Sequence, residues 1–334
     1  MLNSAFFAAM ASLACVTANH AAASVEATSV EDCRADLKVM LSAAPPLVPE
    51  GPEGSDMADP YADLPVEYRG GRCVLGQFST PPLYMAPSMQ RRFVIGPLSW
   101  QAEWSGAERI FPPSALSLRI EGFRQEFSAS EDMAEMAYIQ NVIQGRQNGS
   151  LQLEFRSDPK ARSLDLTRLE ITPNGTDRLV LSAKLTDIDL RDIVGGARVS
   201  PDDLLRIGVT DINLSLSNRF FFESMVGAWL NAIYPAMGET PEQAADAAKA
   251  MATSFIATIP ATLADDDSRA ALTALVASLP HPTGDLHMTL HAAEGLSAGD
   301  IAPAIIVSGP SWQLLEEPLR DVRIKAEWTP APVP

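Results

Sequence analysis

From Phe93 onward the chain keeps returning to one pattern, apolar residues at every second position. Leu98, Trp100, Ala102 and Trp104 alternate with small or polar residues in PLSWQAEWSG, and Leu116, Leu118 and Ile120 do so in ALSLRIEGF. Leu151, Leu153 and Phe155 follow in SLQLEF, then Leu179, Leu181, Ala183 and Leu185 in RLVLSAKL. Successive strand side chains point to opposite faces, so each run predicts a strand with one dry face and one wet face. Strands of that kind build an antiparallel sheet that needs cover on a single side.

A shorter motif recurs inside this texture: LTRLEI from Leu166, LTDIDL from Leu185, VTDINL from Val209 and LRDVRI from Leu319. Each has apolar residues at its first, fourth and sixth places, which fits a strand whose phase is reset by a bulge or turn before alternation resumes. The motifs therefore read as successive rungs of one extended, twisted sheet. Asn174-Gly175, between two runs, predicts a hairpin turn because both residues tolerate positive φ. Asn148-Gly149 reads as the end of a short helix carrying Met133, Met136, Ala137, Gln140 and Ile143.

Between the third and fourth rungs the period becomes helical. RFFFESMVGAWLNAIYPAMG places Phe222, Met225, Val226, Trp229, Leu230 and Ile233 on one stripe. The next helix starts with Thr240 as N-cap, Pro241 at the first position and Gln243 completing a capping box, and Pro260 ends it. A third follows Asp265, Asp266 and Asp267, acids suited to the positive end of its dipole. The fold class expected is α+β, an extended, twisted, mostly antiparallel β-sheet with a three-helix insertion packed on it.

The first 23 residues carry no charge, run apolar from Ala5 to Val16 and end in small residues at Ala21 to Ala23, the pattern of an export signal. Cys15 lacks the leucine three places earlier that a lipoprotein signal carries, since Ser12 stands there. Removal of the signal leaves Cys33 and Cys73, which are expected to pair in an oxidising compartment and to close off an acidic, proline-rich stretch. No transmembrane helix is expected after cleavage. A net charge of −17 repels phosphate backbones, which argues against nucleic-acid binding.

Two motifs that usually signal chemistry lie in LHMTLHAAEGLSAGD. His287 and His291 alternate with Leu286, Met288 and Leu290, so they lie on one strand about 13 Å apart, too far to share a metal ion. His281 stands between two prolines and adds no ligand. Gly295-Leu296-Ser297-Ala298-Gly299 has the spacing of a nucleophile elbow, but Pro303 interrupts the helix that should follow, and no histidine occurs after His291. It reads as a glycine-flanked turn. Asp187 and Asp189 would sit about 7 Å apart on one strand face, near the separation in inverting glycosidases, yet Arg168, Glu170, Asp211, Asn213, Asp321 and Arg323 fill the equivalent rung positions. That is the composition of a solvated face. The tripeptides at Asn148, Asn174 and Asn213 match glycosylation sequons and carry little weight, and no phosphate loop, dinucleotide fingerprint or zinc spacing occurs. No catalytic residue, metal or cofactor is expected.

The stretches PLSWQAEWSGAERIFPPSALSLRIEGF, GSLQLEFRSDPKARSLDLTRLEI and LVLSAKLTDIDL, together with the export signal, resemble the alphaproteobacterial envelope proteins of domain-of-unknown-function family 2125. Rungs interrupted by an alanine-rich helical insert are also distantly similar to AsmA-like envelope proteins, a likeness that implies lipid handling. The expected organisation is a signal peptide at 1–23, a disulfide-closed acidic Pro-rich region at 24–92, sheet at 93–218, helical insertion at 219–283, sheet again at 284–328 and a tail at 329–334. The function expected is that of a non-catalytic periplasmic or secreted protein binding a lipid or other hydrophobic molecule, with Phe220, Phe221, Phe222, Met225 and Trp229 lining the site. The alternative is a scaffold that binds another envelope protein through its acidic loop or a sheet edge.

Overall fold

A computed structural model of the 334-residue chain describes residues 24–43, 64–80, 83–86, 89–105, 109–129, 134–135, 138, 148–188, 200–219, 241–279, 281–302 and 315–332. The amino-terminal part holds β1 (Ser24–Glu26), α1 (Val30–Ala43), β2 (Val66–Arg69), β3 (Arg72–Leu75), β4 (Phe78–Ser79), β5 (Leu83–Ala86) and β6 (Met89–Ile95). Long strands follow: β7 (Leu98–Ser105), β8 (Ala115–Ala129), β9 (Gly149–Asp158), β10 (Ser163–Thr172) and β11 (Arg178–Thr186). The remainder comprises α2 (Pro201–Arg206), β12 (Gly208–Asn218), α3 (Pro241–Ala257), α4 (Asp266–Ala277), β13 (Gly284–Ser297) and β14 (Val322–Pro330).

The alternation predicted from the sequence becomes a single mostly antiparallel sheet in an α+β fold. From β7 to β14 each strand pairs with the next in the chain. β3 and β1 flank β7, while β6 continues the line of β7 and pairs with the second half of β8. β6 and β7 separate at Gly96, where the backbone approaches so closely that an added Cβ would lie 2.9 Å from the Gly122 oxygen. The sheet thus begins before Phe93. Its earliest strands have two to four residues, except for β6, too few for a period-two signal to register.

Directly opposed residues share a face, so the register can be followed as rows running across the sheet. One row passes through Val66, Leu75, Leu98, Ile120, Leu151, Ile171, Leu179, Leu216, Leu286 and Trp328. The next passes through Cys73, Trp100, Leu118, Leu153, Leu169, Leu181, Leu214, Met288 and Ala326. A third joins Ala102, Leu116, Phe155, Leu166, Ala183, Ile212, Leu290 and Ile324. The recurring motif explains how the rows stay aligned. Register shifts occur after Leu166 in β10 and after Val209 in β12. Leu185 is followed by a turn at Asp187, with φ +55, and Leu319 by a turn whose carbonyl accepts from Val322 N. The bulge or turn required by that spacing is present in all four places.

Helices cover the two ends of this apolar face. Leu37 and Met40 of α1 pack with Trp100, Leu116 and Leu153, and Cys33 is bonded to Cys73 with 5.4 Å between their Cα atoms. At the far end Leu263 and Ala264, before α4, and Leu272 and Val276 on it join Ala292, Val322 and Ile324. The outer edge of β14 is closed as well: Ile324 N donates to Leu263 O at 2.7 Å and Ala326 N to Ser268 Oγ at 3.1 Å. Edge strands left open invite pairing with other chains. Asp265 caps α4 by accepting from Ser268 N at 2.8 Å, the role expected of that acidic run. No described helix is long and apolar enough to cross a membrane.

Three local expectations need amendment. The turn after β10 has Gly175 at φ +78, but Asn174 does not share the positive φ. Its side-chain oxygen instead accepts from Thr176 N and Asp177 N at 3.1 and 2.8 Å, an Asx turn spanning more than two residues. Gly149 opens β9, while most of the helix expected before it lies outside the described residues. α2 was not anticipated, although Ser200 at its cap and Pro201 at its start are standard start signals.

Separating Cys33 from Cys73 releases a loop whose ends are 40 residues apart. Cys33→Ser/Cys73→Ser is expected to lower unfolding free energy by about 3–4 kcal/mol, read from urea melts against the oxidised parent. Superimposed melts would show that the bond constrains nothing.

Candidate functional site

The register brings together a face, not a cluster. Across β10 to β13 the rows continue through Leu166, Leu169, Leu179, Leu181, Ala183, Ile212, Leu214, Leu216, Met288 and Leu290, all half-buried, whereas their neighbours on β7 to β9 are largely buried. The described helices pack chiefly on β2, β3 and β14. The intervening strip is floored by sheet and flanked by α1 on one side and the α3–α4 pair on the other. From β10 to β13 it measures about 14 Å across the strands at about 4.8 Å per step. The residues expected to line it, Phe220, Phe221, Phe222, Met225 and Trp229, lie outside the described residues. So does most of the acidic loop, at 44–63.

The opposite face is wet and mixed in charge, as anticipated. Arg178 on β11 donates through Nε to Glu170 on β10 at 2.8 Å, and Arg168 of the same strand as Glu170 donates to it as well. Arg178, then burial working against it, then Arg168 leave the Glu170 carboxyl at about 2. His291 Nδ1 lies 2.8 Å from Asp211 Oδ1 and His287 Nδ1 lies 2.8 Å from Ser215 Oγ. His287 is also opposite Glu327, so a serine, a histidine and a glutamate share one row. That row lies open to solvent, with the histidine exposed. Both histidines project from β13 beside partners on β12, and neither approaches Ser297.

Ser297 ends β13, and a helical turn is described over 298–302. The helical turn begins inside the Gly-Leu-Ser-Ala-Gly stretch, at Ala298, and it serves a different chemistry. Ser297 Oγ donates to Asp300 Oδ2 at 2.6 Å, Ser297 N donates to the same oxygen at 2.8 Å, and Asp300 N donates back to Ser297 Oγ at 3.2 Å. This is a reciprocal capping box, and the hydroxyl proton is directed at the cap's own carboxylate. Asp187 was expected on a strand beside Asp189. It sits instead in the turn after β11, and Asp189 lies outside the described residues.

Asp187 and Ser297 do meet in one polar cleft of about 570 Å³, together with Arg162, Asp203, Arg206, Glu294 and Asp300. The cleft lies at the strand ends, and none of its described lining residues is a histidine. Arg162 donates to Asp187 O at 3.1 Å, which occupies one of its cations with the fold. Among the described residues no group of three or more His, Cys, Asp or Glu side chains could hold a metal ion.

One buried polar network was missed from sequence. Asp36 is fully buried beneath α1 and accepts from Trp104 Nε1 at 2.8 Å and Arg109 Nε at 2.7 Å; Arg109 reaches Asp32 at 2.5 Å as well. Burial pushes the Asp36 carboxyl up, against the pull of Arg109 and Trp104. The Thr28 N–H and then Arg109 hold Asp32 well below the ordinary carboxylate range. Trp100 points its N–H toward the same carboxyl without closing a bond, so Asp36 Oδ2 and Trp100 Nε1 both stay unpaired. An aspartate set among the buried positions Cys33, Leu37 and Met40 of one helix face was the available signal. Its role here is to bolt α1 to β7. The sequence matches no protein-family model and no curated protein.

Two outcomes follow from this geometry. Glu170 is lowered from 4.5 to about 2 on folding, so its stabilisation is complete above pH 4.5 and is lost as pH falls toward 2. Urea melts of Glu170→Gln are expected to fall below wild type near neutral pH and to converge with it at the acid end of that window. Ser297→Ala is expected to cost about 1 kcal/mol as a lost cap and to leave hydrolysis of generic esters at the uncatalysed rate in both proteins.

Proposed function

We propose that this is an exported, non-catalytic envelope protein, periplasmic or secreted, that holds an extended apolar chain such as a lipid acyl chain against the half-exposed face of β10 to β13. One observation carries the reading: the apolar rows run on through these strands where the described helical cover lies to either side. Half-buried leucines in register form a flat apolar strip, and burying them against a ligand is favourable at about 25 cal/mol per Å². The strip's width of about 14 Å matches one acyl chain, roughly half of the ~30 Å hydrocarbon core of a bilayer. In this proposal the insertion contains three helices, and Phe220, Phe221, Phe222, Met225 and Trp229 on the first of them close over the bound chain.

Export is supported by the signal-like residues 1–23 and by the Cys33–Cys73 bond, which suits an oxidising compartment. The non-catalytic reading is supported by the dispersal of reactive groups: Ser297 is engaged by Asp300, and the histidines project from the solvated face of the same strand.

The test is direct. Native mass spectrometry of the purified protein should detect co-purified acyl lipid, and a fluorescent long-chain probe should bind saturably. Leu181→Glu/Leu214→Glu puts two carboxylates at the centre of the strip and is expected to weaken that probe at least about tenfold, since each buried leucine contributes about 1.5–3 kcal/mol. Equal binding by the folded variant, or a lipid-free protein with no affinity for the probe, sinks the proposal.

A further inference from the structure

The apolar face carries one cation without a described counterion. Arg91 on β6 is opposite Phe127 on β8, Phe93 is opposite Gln125, and Ile95 is opposite Phe123. Phe123 in turn pairs with Gly149, two residues before Leu151 on β9. A bulge in β8 between Ile120 and Phe123 restores the phase, so Arg91 and Gln125 lie on the same face as the leucine rows. The neighbouring arginines point the other way and are paired: Arg92 Nε donates to Glu126 at 2.8 Å and Arg124 to the same carboxylate at 2.9 Å.

Arg91 lies over an aromatic ring instead, its guanidinium carbon 5.1 Å from the Phe93 centroid. Its Nε is buried with no hydrogen-bond partner, and so is Gln125 Oε1 on the diagonal position of the adjacent strand. Burial pushes the Arg91 pKa down, the direction for a cation taken out of water without an anion to meet it. Cation–π contact does not satisfy an N–H donor, and an unmade buried bond is costly.

We infer that Arg91 and Gln125 form the head-group site for an apolar chain ending in an oxyanion, a carboxylate or phosphate ester. The guanidinium donates through Nε to one oxygen, and a half-turn of the Gln125 amide presents its NH₂ to the same group. Planar guanidinium geometry suits both oxyanions. Phe93 lies beside the head and Phe123 between it and Ile120, so the first part of the tail lies on these rings, and only a tail longer than the ~14 Å strip is wide reaches on to the half-buried leucines of β10. The protein's charge of −17 disfavours small free anions, so the tail supplies most of the affinity and the head supplies selectivity.

This inference rests on the proposed binding of acyl chains to the sheet face, and the experiment separates the two. Affinities of the full chain are measured near neutral pH for a long-chain fatty acid, the alkyl phosphate and the alcohol of the same length, with acetate and inorganic phosphate as tail-less controls. The acid or the alkyl phosphate is expected to bind at least about tenfold more tightly than the alcohol, the strength of a charge-assisted hydrogen bond, and which of them is preferred identifies the oxyanion. Arg91→Gln should erase that preference while leaving alcohol binding unchanged, and Gln125→Leu should reduce it. Equal wild-type affinity for the charged ligands and the alcohol, or a preference that survives Arg91→Gln, overturns the head-group site and leaves the acyl-chain reading standing. Saturable binding of acetate or phosphate with the affinity of the long-chain ligand also overturns it. No binding of any long-chain ligand overturns both. Should Arg91→Gln fail to fold, the wild-type ratios and Gln125→Leu still decide.

Discussion

Everything in this structure depends on phase. A strand slipped by one residue turns its whole apolar set to the opposite face, so a meander from β7 to β14 has one dry side only if every rung enters in step. The recurring motif achieves this locally. After Leu166 and Val209 an extra residue is absorbed as a bulge, and after Leu185 and Leu319 the chain turns. In the motifs from Leu166, Val209 and Leu319 the apolar residues at the fourth and sixth places then arrive on the face already occupied by the first. The cost of each irregularity is a locally broken ladder. The return is a set of rows in which leucine meets leucine across strand after strand.

Such a sheet needs cover on one side, and the described cover is unequal. α1 is fixed to its end twice, by the Cys33–Cys73 bond and by the buried Asp36–Trp104–Arg109 contacts. A fully buried carboxylate is weak evidence for stability in itself, because desolvation offsets much of the attraction. Its geometry nonetheless ties α1 to the sheet, since Asp36 accepts from Trp104 and Arg109 together. At the other end α4 both packs on the sheet and shields the β14 edge, with Ser268 serving helix start and strand edge at once. Between these anchors the floor of the strip stays half exposed.

The long strands were legible because alternation over six or more residues has no other economical explanation, and the bulges because the one-four-six spacing cannot be met by a regular strand. The disulfide was legible from parity and from the signal-like amino terminus. The short strands β1 to β5 were not, since pairing with β6 and β7 rather than any local pattern makes them strands. The Asn174 turn was misassigned in detail because asparagine has two ways of making a turn, its own backbone or its side chain, and sequence does not choose between them. Ser297 shows the same limit in the site: Gly-Leu-Ser-Ala-Gly and Ser-Ala-Gly-Asp overlap, and the capping box formed. Arg91 was invisible for a deeper reason. Whether it faces the wet or dry side depends on the bulge in β8, which only the pairing with β9 reveals.

The same phase rule bears on chemistry. Polar groups on a sheet repeat about every 7 Å along a strand and about 4.8 Å between strands, a lattice in which a serine, a histidine and a glutamate can line up in a row on one face, as Ser215, His287 and Glu327 do. Catalysis needs groups that converge from several directions on one protected point. An extended ligand needs the reverse, a long regular surface of one character with a single polar point to fix its end. In the proposed reading, a row of in-register leucines would supply the first requirement, and an arginine that a bulge has turned onto the apolar face would supply the second.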